Sequence, residues 1–124
     1  MTTVLDASAI LALLLKEPGA HVVEAALEGD TRCGAANWSE VAQKVSSLDR
    51  AYWEPVRATL LHGYGMRIEP VVVEDAEWAA RRWIRGEGLS LADRLCLALG
   101  ERLDAPIITA DLASGVEGRV RQIR

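Results

Sequence analysis

Phenylalanine is absent from this 124-residue chain, and four Trp and two Tyr are its only aromatic rings. With so few rings, a buried core has to be built from Leu, Val, Ala and Ile. Cysteine is scarce as well. Cys33 and Cys96 lie far apart and lack the close spacing of zinc ligands, so a zinc site is excluded, and the pair reads as two buried thiols and not as a disulfide framework. Only two Lys accompany twelve Arg, and the formal net charge is −4. That balance excludes strong nonspecific nucleic-acid binding by charge alone. It leaves a nucleic-acid enzyme open, because Arg suits bidentate phosphate contacts. No long apolar run is present: Ala7 to Leu15 is too short to span a bilayer and follows an acidic residue, not a basic leader. A cytoplasmic protein is expected. Glycine-rich dinucleotide loops, Walker sequences, internal repeats and low-complexity linkers are all missing.

What is present is globular in composition, with 50% hydrophobic and 26% charged residues. One domain over residues 1–124 is expected, long enough to bury a single core. Strand and helix patterns alternate along it. Thr2 to Leu5 reads as a strand and Ala7 to Leu15 as a helix, with Asp6 at the junction. A helix over Ala20 to Glu28 follows, then a weak strand over Thr31 to Ala36. Asn37-Trp38-Ser39-Glu40 has capping-box spacing and is expected to open a helix running through Leu48. A short Asp49-Arg50 connection leads to a helix over Tyr52 to His62, with Pro55 tolerable in its first turn. An extended segment within Met66 to Val73 precedes a helix reaching about Arg85, acidic at its start and basic at its end. Ser90 is a natural N-cap, with Asp93 three residues on, for a largely buried helix through Leu103. Ile107-Ile108-Thr109 reads as a buried strand and Val120 to Ile123 as an edge strand. Five strands among about six helices predict an α/β fold, a three-layer α/β/α sandwich around a mostly parallel five-stranded sheet.

Topology then gathers four carboxylates. Asp6 and Asp111 follow strands, while Glu40 and Asp93 sit in first turns of helices that begin on the same sheet edge. Each taken singly has a sufficient explanation as a helix or turn cap. Four at one rim, read as standing without a Lys near them in sequence, would repel unless a cation sits between them. Oxygen-only ligands suit Mg²⁺ or Mn²⁺ over zinc, and such ions serve phosphoryl chemistry.

These residues carry a resemblance. Val4-Leu5-Asp6-Ala7-Ser8-Ala9, Asn37-Trp38-Ser39-Glu40-Val41, Gly88-Leu89-Ser90-Leu91-Ala92-Asp93-Arg94 and Thr109-Ala110-Asp111 together make the chain similar to PIN-domain ribonucleases, specifically the VapC-like toxins of type II toxin–antitoxin pairs. The resemblance implies that Asp6, Glu40, Asp93 and Asp111 form the family's catalytic acidic quartet, holding Mg²⁺ or Mn²⁺, with Ser8, Asn37 and Thr109 in support. It implies an endoribonuclease that hydrolyses RNA, transfer or ribosomal RNA, leaving 5′-phosphate and 3′-hydroxyl ends. It also implies a homodimer restrained by a VapB-like antitoxin whose segment lies in a groove near the active site. One departure is plain: where many relatives carry an aromatic after the Thr-Ala-Asp triplet, this chain has Leu112-Ala113-Ser114-Gly115.

Secondary candidates are Arg94, for a phosphate or antitoxin contact, and Arg81, Arg82 and Arg85, for an RNA track or a plain solvated face. Tyr52 and Trp53 fit an antitoxin groove or dimer contact, or the half-buried core for Trp53. His21 and His62 match no motif. Among rival enzymes, a haloacid-dehalogenase-like phosphatase wants a second Asp at position 8, where Ser stands, and a receiver domain wants a Lys in place of Thr109-Ala110-Asp111. A PIN-fold module that binds RNA or an antitoxin without cutting is the runner-up, and a purely structural α/β domain the third reading.

Overall fold

Val4 and Leu5 are neighbours in one strand, and both are wholly buried on opposite faces of the sheet. Ile107 and Ile108 are likewise buried on opposite faces in another. A strand alternates its side chains, so two adjacent buried residues require cover on both faces. The computed structural model describes residues 1–123. Its elements are β1 (Thr2–Leu5), α1 (Ala7–Leu14), α2 (Ala20–Leu27), β2 (Asp30–Gly34), α3 (Ala35–Leu48), α4 (Trp53–Ala58), β3 (Arg67–Glu69), α5 (Val73–Arg81), α6 (Leu91–Leu103), β4 (Ile107–Thr109) and β5 (Val120–Gln122). The five strands are all parallel, in the order β3-β2-β1-β4-β5. Leu5 and Ile108 join Ile10, Val23, Leu27, Val41 and Leu60 in the larger core cluster. Val4 and Ile107 join Cys96 and Leu99 of α6 on the other face. The expected sandwich is the observed one.

Several local expectations need correction. α3 starts at Ala35, directly after the weakly signalled β2, so Asn37 lies inside its first turn and Gly34 is the N-cap. The expected Asn37–Glu40 box does not form, because both ends of the Asn37 amide are used by other elements. The helix over residues 52–62 is instead a 3₁₀ turn (Arg50–Tyr52), α4, and a π turn (Thr59–Gly63). α5 ends at Arg81, short of Arg85. There Arg82 turns to grip Glu87 through two bonds of 2.7 and 2.8 Å, and Gly86 and Gly88 carry the chain through positive φ.

On the α6 face, Arg102 donates to both oxygens of buried Asp75, at 3.0 and 3.1 Å, tying α5 to α6. Closer to the sheet, Gly100 is the residue that lets α6 approach β4. A Cβ there would stand 2.5 Å from Ile107 Cδ1 and 2.7 Å from Cγ1. Gly100→Ala should therefore destabilise by about 1–2 kcal/mol, since overpacking of roughly 1–3 kcal/mol exceeds the gain of up to ~1 kcal/mol in helix propensity. Urea unfolding checks this; an increase in stability would mean the interface yields freely.

Candidate functional site

Asp6 leaves the carboxyl end of β1 and caps α1: its Oδ1 accepts the Ala9 N–H at 2.9 Å and the Ser8 hydroxyl at 2.7 Å. Ser8 in turn lies 3.1 Å from the Thr109 hydroxyl and accepts the Ala110 N–H at 2.8 Å, stitching α1 to the end of β4. Thr109 Oγ1 accepts the Asp111 N–H at 2.9 Å, and Asp111 Oδ1 caps the short turn Leu112–Ser114 through Ala113 N–H. Across the rim, Ser90 and Asp93 form the expected capping box of α6, with bonds of 2.9 and 3.1 Å. Asn37 joins these pieces. It is 1% exposed, its Oδ1 accepts Ala7 N–H at 3.2 Å and its Nδ2 donates to Ala92 O at 3.3 Å. One amide thus fixes the starts of α1, α3 and α6 relative to one another.

The capping explanation is therefore correct for Asp6, Asp93 and Asp111 but not for Glu40, which stands in the second turn of α3 and not in its first, and among the described residues caps nothing; all four nevertheless share one cavity. Asp6, Glu40, Asp93 and Asp111 line one open cavity of about 420 Å³, together with Ser8 and Asn37. Thr109 lies wholly buried behind it. The charges feel one another. Burial pushes the Asp6 carboxyl up from the usual range, against hydrogen bonds from Thr109, Ser8 and Ala9, and Asp93 adds to the rise. Glu40 is raised too, by desolvation at the cavity wall and then by Asp93, Asp6 and Asp111.

A model of the PIN domain matches residues 3–113 of this chain. The chain belongs to the PIN-domain family. Ribonuclease VapC42 of Mycobacterium tuberculosis is 32% identical over 114 residues, spanning 85% of this chain and 87% of that protein. A toxin–antitoxin complex from Klebsiella pneumoniae superposes with a TM-score of 0.80 at 18% identity, over 98% of both chains. The crystal structure of Mycobacterium tuberculosis VapC20, a toxin that cleaves the sarcin-ricin loop, superposes with a TM-score of 0.71 at 17% identity, over 96% of this chain and 98% of that one. At such identities the two structures establish the shared fold.

The donors of this PIN domain suit a hard divalent ion. They are carboxylate oxygens alone, and Asp93 and Asp111 each spend one oxygen on a local cap, while Glu40 spends none among the described residues. Among the described residues no three metal-binding groups form a ready-made coordination shell; the carboxylates face one another across the cavity.

Two placements differ from expectation. Lys44 stands one turn beyond Glu40 and lines the same cavity, so the carboxylates do have a lysine beside them. The i, i+4 spacing on a helix was the signal that could have found it. Arg94 Nη1 donates to the Ala79 carbonyl at 2.7 Å, holding α6 against α5. Of the other arginines, Arg82 is paired with Glu87, and Arg85 lies 5.6 Å from the centre of the Trp83 ring. Trp53 packs on Trp38, with ring centres 5.0 Å apart, while Tyr52 is open to solvent.

Cys33 and Cys96 are buried free thiols, pushed well above the ordinary range by burial and secondarily by Asp6. Native protein should resist alkylation at neutral pH, and both thiols should react once it unfolds. Mass spectrometry after iodoacetamide treatment checks this; rapid native labelling would show that the core beneath the cavity opens.

Proposed function

We propose that this protein is a metal-dependent endoribonuclease toxin of a toxin–antitoxin pair, cutting RNA, transfer or ribosomal RNA, at the cavity of Asp6, Glu40, Asp93 and Asp111. The observation that carries the reading is the convergence of four carboxylates from four separate segments on one cavity of a PIN domain, with Asp6 and Glu40 both raised in proton affinity. The relatives named VapC ribonuclease support the same activity. The four carboxylates would hold Mg²⁺ or Mn²⁺, which when bound supplies an activated water and offsets the charge that builds on the phosphate.

The chain's own work is positioning. Ser8 and the Ala9 N–H orient Asp6, the Ser90 box orients Asp93, and the Ala113 N–H orients Asp111. Glu40 projects from α3, whose start is locked by Asn37. Carboxylates fixed before substrate arrives need little reorganisation during reaction, which is where most electrostatic catalysis is gained.

The antitoxin partner belongs to the same reading. An apolar groove of about 280 Å³, lined by Leu14, Leu15, Val45, Leu48, Tyr52 and Val56, lies between the end of α1, the end of α3 and the start of α4. Leu15, Leu48 and Tyr52 leave large apolar surface open to water there, as a covered face does when its cover is absent. An antitoxin segment fits it, and a homodimer is expected in solution.

Purified protein free of antitoxin, incubated with total cellular RNA and Mg²⁺ or Mn²⁺ against a chelator, tests the reading. Discrete metal-dependent fragments with 5′-phosphate ends are expected. Binding of RNA without any cleavage, with the full set of cellular RNAs supplied, would favour the non-cutting binding module instead.

A further inference from the structure

α3 presents two opposed stripes. Val41 and Val45 point into the core, while Glu40, Gln43, Lys44 and Ser47, at i, i+3, i+4 and i+7, share the face that walls the carboxylate cavity. Beyond Glu40 that face changes character. It offers an amide and an ammonium on exposed residues, with the exposed Ser47 hydroxyl donating back to the Lys44 carbonyl at 2.7 Å. Lys44 is, among the described residues, the one cationic residue on a cavity wall that carries four carboxylates. Among the described residues its ammonium joins no carboxylate in an ion pair, unlike Arg32, Arg82, Arg102 and Arg119, which are all engaged elsewhere.

A polyanion entering this cavity meets strong repulsion from its acidic wall, and the net charge of −4 gives no general attraction to offset it. A bound ion neutralises the acids at the scissile phosphate only. The neighbouring phosphate needs its own counter-charge. Lys44 lies one helical turn from Glu40, about 6 Å of rise, which is close to the step between successive phosphates of an extended strand.

We propose that the Gln43–Lys44–Ser47 face of α3 is a binding subsite for single-stranded RNA backbone, in which Lys44 pairs with the phosphate next to the scissile bond. Gln43 flanks that phosphate with an amide that can donate to its oxygens, while the Ser47 hydroxyl, which donates to the Lys44 carbonyl at 2.7 Å, presents its oxygen as an acceptor for a ribose hydroxyl. The subsite rests on the ribonuclease reading above and adds to it the direction in which the strand leaves the cavity, outward along α3 toward Leu48. An ammonium on a flexible stem suits this place, since it contacts phosphate as a point charge and tolerates any base sequence.

The test uses the full-length protein and a fluorescein-labelled mixed-sequence RNA oligonucleotide, with Ca²⁺ in place of Mg²⁺, comparing Lys44→Ala and Lys44→Arg with the wild type across a salt series. Lys44→Ala should weaken binding five- to tenfold and lower the slope of log Kd against log salt by about 0.7, one phosphate contact of a single strand. Lys44→Arg should keep both. In cleavage assays with Mg²⁺, Lys44→Ala should act mainly through KM. Melting temperatures should agree among the three proteins, because the side chain is exposed. Unchanged affinity and salt slope in Lys44→Ala, from a protein whose wild type cleaves RNA, would overturn the subsite. Absence of cleavage by the wild type would instead strike the ribonuclease reading itself, while the salt slope would still report on Lys44.

Discussion

Asp93→Asn is expected to lower RNA cleavage on the order of a thousandfold, about 4 kcal/mol of transition-state stabilisation, while leaving the fold intact. Asn keeps an oxygen to accept the Ser90 N–H, so the capping box of α6 survives. What disappears is a negative charge facing Asp6 and Glu40, both of which it raises. Two effects on stability then oppose each other: a lost helix-dipole interaction of roughly 0.3–1 kcal/mol and a relieved repulsion of similar size. The metal-free melting temperature should therefore stay within about 3 °C of wild type. Added Mg²⁺ or Mn²⁺ should separate the two proteins. An ion at a hundred times its Kd stabilises by about 2.7 kcal/mol, and the variant, lacking one ligand, should show much less. Equal cleavage by the two proteins, or equal stabilisation by the ion, would remove Asp93 from the site.

The same carboxylates set a pH dependence with a definite sign. Asp6 and Glu40 have folded-state pKa values above their ordinary 3.8 and 4.5. Between the ordinary and the raised values the folded protein binds more protons than the unfolded chain, so metal-free stability falls as pH rises through that window. Asp30 acts oppositely. Arg32 and Thr2 hold it down at about 2, so its stabilising contribution is present above pH 3.8 and is lost as pH falls toward 2. Melts recorded across pH with chelator and with excess Mg²⁺ separate the contributions, because only the first is suppressed by the ion.

The second large effect is on the fold. Asn37→Ala should destabilise by about 2–3 kcal/mol, more than any capping substitution at the rim. It removes one buried and one part-buried hydrogen bond at once and leaves the buried Ala7 N–H with no acceptor. Ser8→Ala, whose partly buried hydroxyl donates to Asp6 and accepts the Ala110 N–H, should cost about 1–2 kcal/mol. Because Asn37 ties α1, α3 and α6 together, its loss should also lower cleavage by loosening Asp6, Glu40 and Asp93 relative to one another. Urea unfolding with an unchanged m-value, alongside cleavage of the same RNA, checks both halves. A stability loss under 0.5 kcal/mol would mean that water replaces the amide at no cost. Asn37→Asp sharpens the comparison: it keeps the acceptor for Ala7 but adds a fifth carboxylate, and its stability should be partly restored by a divalent ion.

Much of this molecule was readable from its residues. Adjacent apolar pairs such as Val4-Leu5 and Ile107-Ile108 demand cover on both faces, and with intervening helices that leaves a parallel sheet sandwiched between two layers. The capping grammar of Asp6, Ser90 and Asp93 is local chemistry, governed by a few consecutive residues, and it appears in the structure as written in the chain. Parallel topology, with strands ending and helices starting at one edge, led to the expectation of four carboxylates at one rim, and Asp6, Glu40, Asp93 and Asp111 do line one cavity, with Glu40 reaching it from the second turn of α3.

Tertiary structure decided the rest. Asn37 carries a local signal for opening a helix, yet partners thirty and fifty-five residues away claim its amide, and α3 begins at Ala35 instead. Buried hydrogen bonds to distant backbone outweigh a solvent-exposed cap, because an unmade bond in the core costs more than one that water can replace. Arg94 and Lys44 show the same division. Arg94 directly follows Asp93 on α6 and Lys44 lies one turn after Glu40 on α3; Arg94 is turned onto the Ala79 carbonyl of α5, whereas Lys44 is left on the cavity wall. Which face of a helix meets a neighbour and which meets an open cavity depends on the packing of elements far apart in sequence, and that arrangement exists only in the folded chain.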